Sequence, residues 1–201
     1  QPDLFFQTLL EAVEFITNPP FLPDVSTLCQ LILDKVNQPL SFVRIGGNTG
    51  SGKSSLAALI KQELEIKQHP CHLVRLDDWI LPSNQRINQP HNWKTSFQLE
   101  KLQSDLPKLM NGLPLLAPGY ARHPNHQFNP VAYGPFENGI VLFEGIPSFA
   151  HELDSLPWSL SLFIEQSDEL LKQHVLQLYA WKGLNQDAAL RLYQERTPTE
   201  Y

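Results

Sequence analysis

The stretch that decides the fold runs from Phe42 to Ser54 and reads Phe-Val-Arg-Ile-Gly-Gly-Asn-Thr-Gly-Ser-Gly-Lys-Ser. Its last eight residues match the pattern G-x-x-x-x-G-K-[ST], with a short apolar strand before the pattern and a helix after it. Glycines allow backbone N–H groups to turn inward around an anion, and the helix N-terminus adds a partial positive charge. Residues 47–54, the phosphate loop below, are therefore predicted to bind a phosphate group.

The phosphate loop indicates a nucleoside triphosphate as its ligand. We expect Lys53 to reach the β- and γ-phosphates and the Ser54 hydroxyl to be a ligand of Mg²⁺. The sequence lacks the N-K-x-D element of a GTPase and the second glycine-rich signature of a transport ATPase. The predicted nucleotide-binding residues are Gly47, Asn48, Thr49, Gly50, Ser51, Gly52, Lys53, Ser54 and Ser55.

Composition excludes other classes of protein. The length of 201 residues suits a single domain. The formal net charge, 15 Lys and Arg against 21 Asp and Glu, is −6 and argues against a nucleic-acid partner. Apolar runs stay shorter than the roughly 18 residues of a membrane span, so no membrane partner is expected. Two cysteines make no disulfide framework and favour a cytoplasmic protein, with a homo-oligomer left open.

Apolar periodicity divides the chain into alternating strands and helices. Strands are predicted over residues 42–45, 71–76, 140–143 and 160–164. Three helices are predicted over residues 3–16, 53–68 and 168–181. Two more run from a cap at Asp24 to before Pro39 and from a cap at Asn185 to before Pro198. A sixth helix is predicted to start at a capping box of Thr95 and Gln98. Prolines make residues 111–139 loop-like. The alternation predicts an α/β fold, a mostly parallel sheet with helices on both faces.

Carboxylates follow two of the predicted strands. Asp77 and Asp78 come after strand 71–76, and Glu144 comes after strand 140–143. Ligands of parallel sheets bind at the carboxyl ends of the strands, which is where the phosphate loop also lies. These carboxylates are therefore candidate site residues, although a turn cap explains Asp78 equally well.

With these motifs in this order, the chain resembles the P-loop kinases that include uridine kinase, phosphoribulokinase and the bacterial type of pantothenate kinase. That family has a phosphate loop, an Asp followed closely by an aromatic residue, and later an apolar strand ending in Glu-Gly. The resemblance covers roughly residues 40–200 and implies a P-loop NTPase fold that uses ATP and Mg²⁺. It implies Asp77 as the base for the acceptor hydroxyl, Lys53 as the other catalytic residue, and Glu144 as a holder of Mg²⁺ with Ser54.

The resemblance also implies an acceptor loop and a lid. In the family, a proline-containing loop offers a Tyr, and often a His, to the acceptor, and residues 113–136 are the corresponding stretch. Tyr120 resembles that Tyr, His123 and His126 lie near the position of the His, and Arg122 is a candidate to hold an anionic acceptor. The lid would be the helical stretch of roughly residues 167–197. It lacks the family's dense run of arginines, and its candidate cations are Lys182, Arg191 and Arg196.

Two regions lie outside this pattern. Residues 1–39 are predicted to be an N-terminal helical segment, an appendage or a packing layer, before a kinase domain over 40–201. The family fold continues past the lid with another strand and an adenine-side segment, whereas the sequence stops at Tyr201. We expect either a truncated chain or a shortened architecture.

The expected activity is transfer of the γ-phosphoryl group of ATP to a hydroxyl of a small molecule, in the manner of uridine kinase. Within this class, pantothenate, a sugar phosphate or glycerate are alternative acceptors. A nucleotide-binding switch or assembly ATPase is a rival, because it would keep Lys53, Ser54 and Glu144 without needing Asp77. A degenerate kinase that only binds is a third alternative, suggested by the sparse lid.

Overall fold

The computed structural model describes residues 4–6, 25–86, 92–120 and 129–200 of the chain. The strands in these ranges are β1 Leu4–Phe6, β2 Leu40–Gly47, β3 Cys71–Arg75, β4 Leu115–Ala117, β5 Val131–Tyr133, β6 Gly139–Glu144 and β7 Leu160–Ile164. The helices are α1 Val25–Lys35, α2 Lys53–Ile66, α3 Ser83–Arg86, α4 Trp93–Ser96, α5 Leu99–Met110, α6 Asp168–Trp181 and α7 Gln186–Glu200. Short 3-10 turns cover Leu76–Trp79, Ile146–Phe149 and His151–Leu153.

One parallel sheet of five strands organises the molecule, in the order β1, β7, β2, β6, β3. The strand before the phosphate loop, β2, lies at its centre, with Gly47 opposite Ile164 of β7. On its other side β2 pairs with β6, and β6 pairs with β3, where Glu144 lies opposite Arg75. Because the strands are parallel, the phosphate loop, the turn after β3 and Glu144 all lie at one edge of the sheet.

The core has two layers, one on each face of the sheet. Alternate residues of β6 divide between them, because side chains of a strand point to opposite faces. Ile140 and Leu142 pack with α1 and α2, whereas Val141 and Phe143 pack with α5 and the 3-10 turns. The predicted α/β fold with helices on both faces is confirmed. Helix α1 is a packing layer, and it contributes Leu28, Cys29 and Ile32 to the core.

The predicted helix over residues 3–16 is wrong at its start, where residues 4–6 form β1 and pair in parallel with β7. A short apolar run such as Leu-Phe-Phe fits a strand and a helix equally well by periodicity, and aromatic residues favour strands. The remainder of that prediction, and the cap at Asp24, lie outside the described residues. Across the described ranges, no helix combines the length and the apolar character needed to cross a membrane.

The capping box of Thr95 and Gln98 is also wrong. Asn92 caps the short helix α4 by accepting a hydrogen bond from Lys94 N, and the Thr95 hydroxyl donates to Asn92 O. Helix α5 begins separately, after Gln98, whose side chain makes no capping bond. Two helices therefore replace the one predicted, because Asn92 is the stronger cap.

Two further predictions that relied on prolines are wrong. Residues 111–139 contain an antiparallel pair, β4 and β5, with Leu115 opposite Tyr133. Pro114, Pro118 and Pro130 flank these strands and do not interrupt them. Helix α7 runs to Glu200 and does not end before Pro198, since an internal proline removes one hydrogen bond and bends a helix without always ending it.

Candidate active site at the carboxyl edge of the sheet

Glycine makes the tight turn of the phosphate loop possible. Gly47 has a φ of 140°, and a Cβ built on it would lie 2.3 Å from Ile164 O of the neighbouring strand. Gly52 precedes α2 with a φ of 93°, in the left-handed region that other residues rarely adopt. Helix α2 starts at Lys53 without a side-chain cap, which leaves its N-terminus suited to an anion.

Polar groups line the inside of the loop. Lys53 Nζ donates to Asn48 O at 2.8 Å, and the lysine is only 8% exposed. The same carbonyl accepts from Ser51 N at 3.1 Å, which closes the turn. The Ser51 hydroxyl is buried, and within the described residues it has no hydrogen-bond partner. Buried hydroxyls normally find a partner, so this orphan marks a place for a polar ligand.

A serine and a glutamate meet beside the loop. Ser54 Oγ lies 3.1 Å from both Oε1 and Oε2 of Glu144. Strand register brings them together, because Glu144 lies opposite Ile45, the last residue of β2 before the glycines. Glu144 is 1% exposed, and a carboxylate that is so deeply buried requires compensation by donors or a cation.

These residues fit a magnesium nucleotide. The hydroxyl of Ser54 and the carboxylate of Glu144 are hard oxygen ligands of the kind that Mg²⁺ prefers. The Lys53 ammonium and the N-terminus of α2 supply positive charge within the loop, where phosphates would bind. The orphaned Ser51 hydroxyl adds a donor on the same loop.

Two adjacent carboxylates occupy the 3-10 turn after β3. A Cβ built on Gly145 would lie 2.8 Å from the Leu76 Cβ, so the glycine lets the ends of β3 and β6 approach closely. Asp77 is half-buried and Asp78 is buried. The acidic turn is thereby placed beside Glu144, whose register partner Arg75 precedes the turn.

A cleft of about 560 Å³ opens between α2, β3 and the β4–β5 hairpin. Asp78, Tyr120 and Tyr133 line it together, whereas Asp77 is not among its lining residues. Ala58 and Lys61 form its wall on α2, four and seven residues after Ser54 and therefore on the same helix face as that serine. The cleft is within the size range of small-molecule sites.

Tyr133 lines the cleft and also packs in the core. Its hydroxyl donates to Asp78 Oδ2 and accepts from Arg75 N, and its ring stacks on Trp79 at 6.0 Å between centroids. Burial, together with the hydrogen bond to Asp78, raises the pKa of Tyr133, so the hydroxyl keeps its proton. Trp79 Nε1 in turn donates to Asp105 Oδ2 at 2.9 Å. Asp78 is therefore held at the cleft wall by a connected network.

Solved structures with the same fold include one kinase and two proteins assigned as kinases. A protein from Silicibacter sp. TM1040 assigned as a fructose transport system kinase is 23% identical, with a TM-score of 0.74 and coverage of 88% of this chain and 91% of that one. The chain has the fold of P-loop kinases. A protein from Bacillus stearothermophilus assigned as a uridine kinase is 17% identical, with a TM-score of 0.64 and coverage of 87% and 92%. D-glycerate 3-kinase from Cryptococcus neoformans var. grubii is 16% identical, with a TM-score of 0.62 and coverage of 87% and 86%.

Comparison by sequence adds no closer relative. No protein-family model matches the chain, and the search of curated proteins gave no match. The P-loop kinase fold therefore rests on structure, and the roles of individual residues rest on the geometry of this site.

In this P-loop kinase fold, the stretch predicted to be the lid forms helices α6 and α7, and α6 contacts the phosphate loop. His174 Nδ1 lies 3.2 Å from Gly50 O, and a Cβ built on Gly50 would lie 3.1 Å from Val175 Cγ2. Neither residue was singled out by sequence. Of the predicted lid cations, Lys182 is the C-cap residue that follows α6, and the Arg191 Nε donates to Asp187 O of its own helix. Arg196 belongs to α7, and its side chain lies outside the described part.

The predicted site residues thus fall into groups. The structure brings the phosphate loop, Ser54, Glu144 and the turn with Asp77 to one edge, and it places Tyr120 in the neighbouring cleft. Arg122, His123 and His126 lie outside the described residues. The sequence reading missed Tyr133 and His174, because a lone tyrosine on a strand or a lone histidine on a helix carries no local signal of a distant contact.

Proposed function

We propose that this protein is a phosphotransferase that moves the γ-phosphoryl group of ATP, with Mg²⁺, to a hydroxyl of a small molecule. The observation that carries the proposal is the cleft with Asp78 and Tyr120 in its wall, on the face of α2 that begins at Ser54. A switch or an assembly ATPase would use the phosphate loop and Glu144 but would have no use for an acceptor cleft. The assignment of the proteins with the same fold as kinases supports the same function.

The roles of the residues follow from their chemistry. The phosphate loop and the N-terminus of α2 bind the phosphates, and Lys53 stabilises the negative charge on the transferring group. Ser54 and Glu144 would hold Mg²⁺, which when bound neutralises charge on the phosphate oxygens. Asp77, beyond the end of β3, is proposed as the base, and Asp78 and Tyr120 orient the acceptor in the cleft.

The transfer itself balances without any further reactant. The acceptor oxygen forms a bond to the γ-phosphorus of ATP while the bond from that phosphorus to the bridging β–γ oxygen breaks. ADP leaves with the bridging oxygen, and the proton of the acceptor hydroxyl passes to the Asp77 carboxylate. Proton removal by a positioned base is typically worth about 10²–10⁴-fold in rate.

Acceptor-dependent release of ADP tests the proposal. We expect a panel of nucleosides, sugars, sugar phosphates, glycerate and pantothenate to contain compounds that stimulate release, with activity lost in EDTA and restored by Mg²⁺. Lys53→Ala should remove the activity while the protein stays folded by circular dichroism. ADP release that is the same with and without every acceptor, yet still requires Lys53, would overturn the kinase in favour of an ATPase.

A further inference from the structure

The cleft beside α2 contains four charged side chains, and three of them are already engaged. Lys61 and Glu65 form an ion pair one helical turn apart, and the Asp78 carboxylate accepts the hydrogen bond of the Tyr133 hydroxyl. The ion pair neutralises itself, whereas Asp78 keeps its negative charge because the Tyr133 hydroxyl is a neutral donor. The fourth charge, on Arg75, is the lining cation that has no ion-pair partner among the described residues.

Arg75 presents a cation to the cleft, opposite in sign to the Asp78 carboxylate in the same lining. It is the last residue of β3 and is exposed, and its backbone N–H is fixed by the Tyr133 hydroxyl at 3.2 Å. In the described ranges the guanidinium has no hydrogen-bond or ion-pair partner, and the same is true of the Gln62 amide, which also lines the cleft. A guanidinium offers a planar set of donors that matches a carboxylate or a phosphate.

The acidic residues nearest to Arg75 along the chain are Asp77 and Asp78, and Asp78 lines the same cleft. Residues 87–91 and 121–128 contain no Asp or Glu, so neither stretch can supply a carboxylate for Arg75. Apart from the Lys61–Glu65 pair, the lining therefore carries a cation at Arg75 and a carboxylate at Asp78.

We infer that the acceptor is an anionic hydroxy compound whose carboxylate or phosphate group is bound by Arg75, with Gln62 as a second donor. The inference rests on the proposed phosphotransferase function and names the substrate class of its cleft. The acidic end of the acceptor lies at Arg75, and its hydroxyl end lies toward the carboxylates of the turn after β3. A neutral nucleoside can accept hydrogen bonds from the guanidinium but offers no charge to pair with it, and hydrogen bonds between ionised groups are the stronger ones.

A matched set of acceptors tests the charge requirement directly. Glycerol, glycerate and glycerol 3-phosphate share a carbon skeleton, as do ribose, ribonate and ribose 5-phosphate, and uridine is the neutral nucleoside. We expect an acidic member of a set to exceed its neutral member by about 10- to 100-fold in kcat/KM. The carboxylate and phosphate arms identify which acid the site prefers. A metabolite extract divided by anion exchange covers acceptors outside these sets, and ADP release should follow its acidic fraction.

Arg75→Gln supplies the residue-level test, with Lys35→Gln as a control that removes one exposed cation from α1. We expect Arg75→Gln to lower kcat/KM for the acidic acceptor by about 10- to 100-fold, mainly through KM, and to leave KM for ATP unchanged. Arg75→Lys should restore part of the loss, and Lys35→Gln should have no effect.

The outcomes separate this inference from the proposed function. Phosphorylation of neutral acceptors as efficiently as acidic ones, or an equal loss with both in Arg75→Gln, would overturn the anionic acceptor and leave the kinase standing. If neither the panel nor any extract fraction stimulated ADP release in protein that binds ATP, the phosphotransferase itself would be overturned, and the inference with it.

Discussion

Adjacent residues at the end of β3 have different surroundings and should have different roles. Asp77 is half-buried in the turn beside Glu144, whereas Asp78 is buried and accepts the hydrogen bond of Tyr133. Asp77→Asn removes a base but keeps the size of the side chain. We expect this variant to lower kcat for acceptor phosphorylation by about 10²–10⁴-fold and to change ATP affinity by less than about tenfold, as measured by steady-state kinetics and nucleotide titration.

Asp78→Asn is the matched control for that experiment. The amide keeps an oxygen that can accept from Tyr133, so the network with Trp79 should survive. Because Asp78 lines the cleft, we expect its loss to appear mainly as a higher KM for the acceptor, with a much smaller fall in kcat. An equal fall in kcat for both variants would show that the assignment of the base to Asp77 is wrong.

Residues whose chemistry depends on neighbours in sequence could be predicted, and residues that depend on the fold could not. Lys53 and Ser54 follow from a contiguous motif with a physical mechanism of its own. For Asp78, the sequence could not decide between a turn cap and a site role. Its hydrogen bond comes from Tyr133, which is 55 residues away along the chain. Arg75 gave no signal for the same reason, since its cleft is formed by three elements.

At the scale of elements, helix α6 contacts the phosphate loop through a polar contact of His174. His174 Nδ1 donates to Gly50 O at 3.2 Å when that nitrogen carries the proton, and Val175 packs against the same glycine. His174→Ala removes the donor. One hydrogen bond contributes about 0.5–1.5 kcal/mol, so we expect KM for ATP to rise by roughly two- to tenfold with little change in kcat.

His174→Gln serves as the control, because its amide N–H can donate to the same carbonyl. It should retain most of the ATP affinity, and both variants should unfold at temperatures close to that of the parent protein. An unchanged KM for ATP in His174→Ala would mean that α6 does not support the nucleotide-binding conformation of the loop.

The larger elements followed from periodicity, because burial on one face leaves a regular pattern. Helices α2 and α6 and strands β2, β6 and β7 therefore lie where the sequence placed them, within a few residues. Short elements failed for physical reasons. Strands β4 and β5 have three residues each, too few for a period, and the prolines at their ends resemble those of a loop. Strand β1 needs β7 as its partner, which no local pattern reveals.

At the scale of the molecule, the labelling rate of two buried thiols measures how often the core opens. Cys29 on α1 and Cys71 on β3 are thiols, buried within the same apolar cluster. Burial raises the pKa of the Cys71 thiol to about 12, and the Cys29 Sγ contacts Ile60 O at 3.7 Å. Alkylating reagents attack thiolates, so neither cysteine should react at pH 8 until the core opens.

Thiol labelling then links nucleotide binding to global stability. A ligand that binds only the folded protein lowers the open population by the factor 1 + [L]/Kd, about 100-fold at a concentration of 100 Kd. We expect ATP with Mg²⁺ to slow labelling of both cysteines by about that factor and to have no effect in Lys53→Ala, with mass spectrometry following each site.

Cys29→Ser isolates the signal of Cys71. Since α1 and β3 each contact α2 in one cluster, equal slowing would mean that they open together. Labelling that ATP slows at Cys71 alone would instead mean that α1 detaches without releasing the nucleotide.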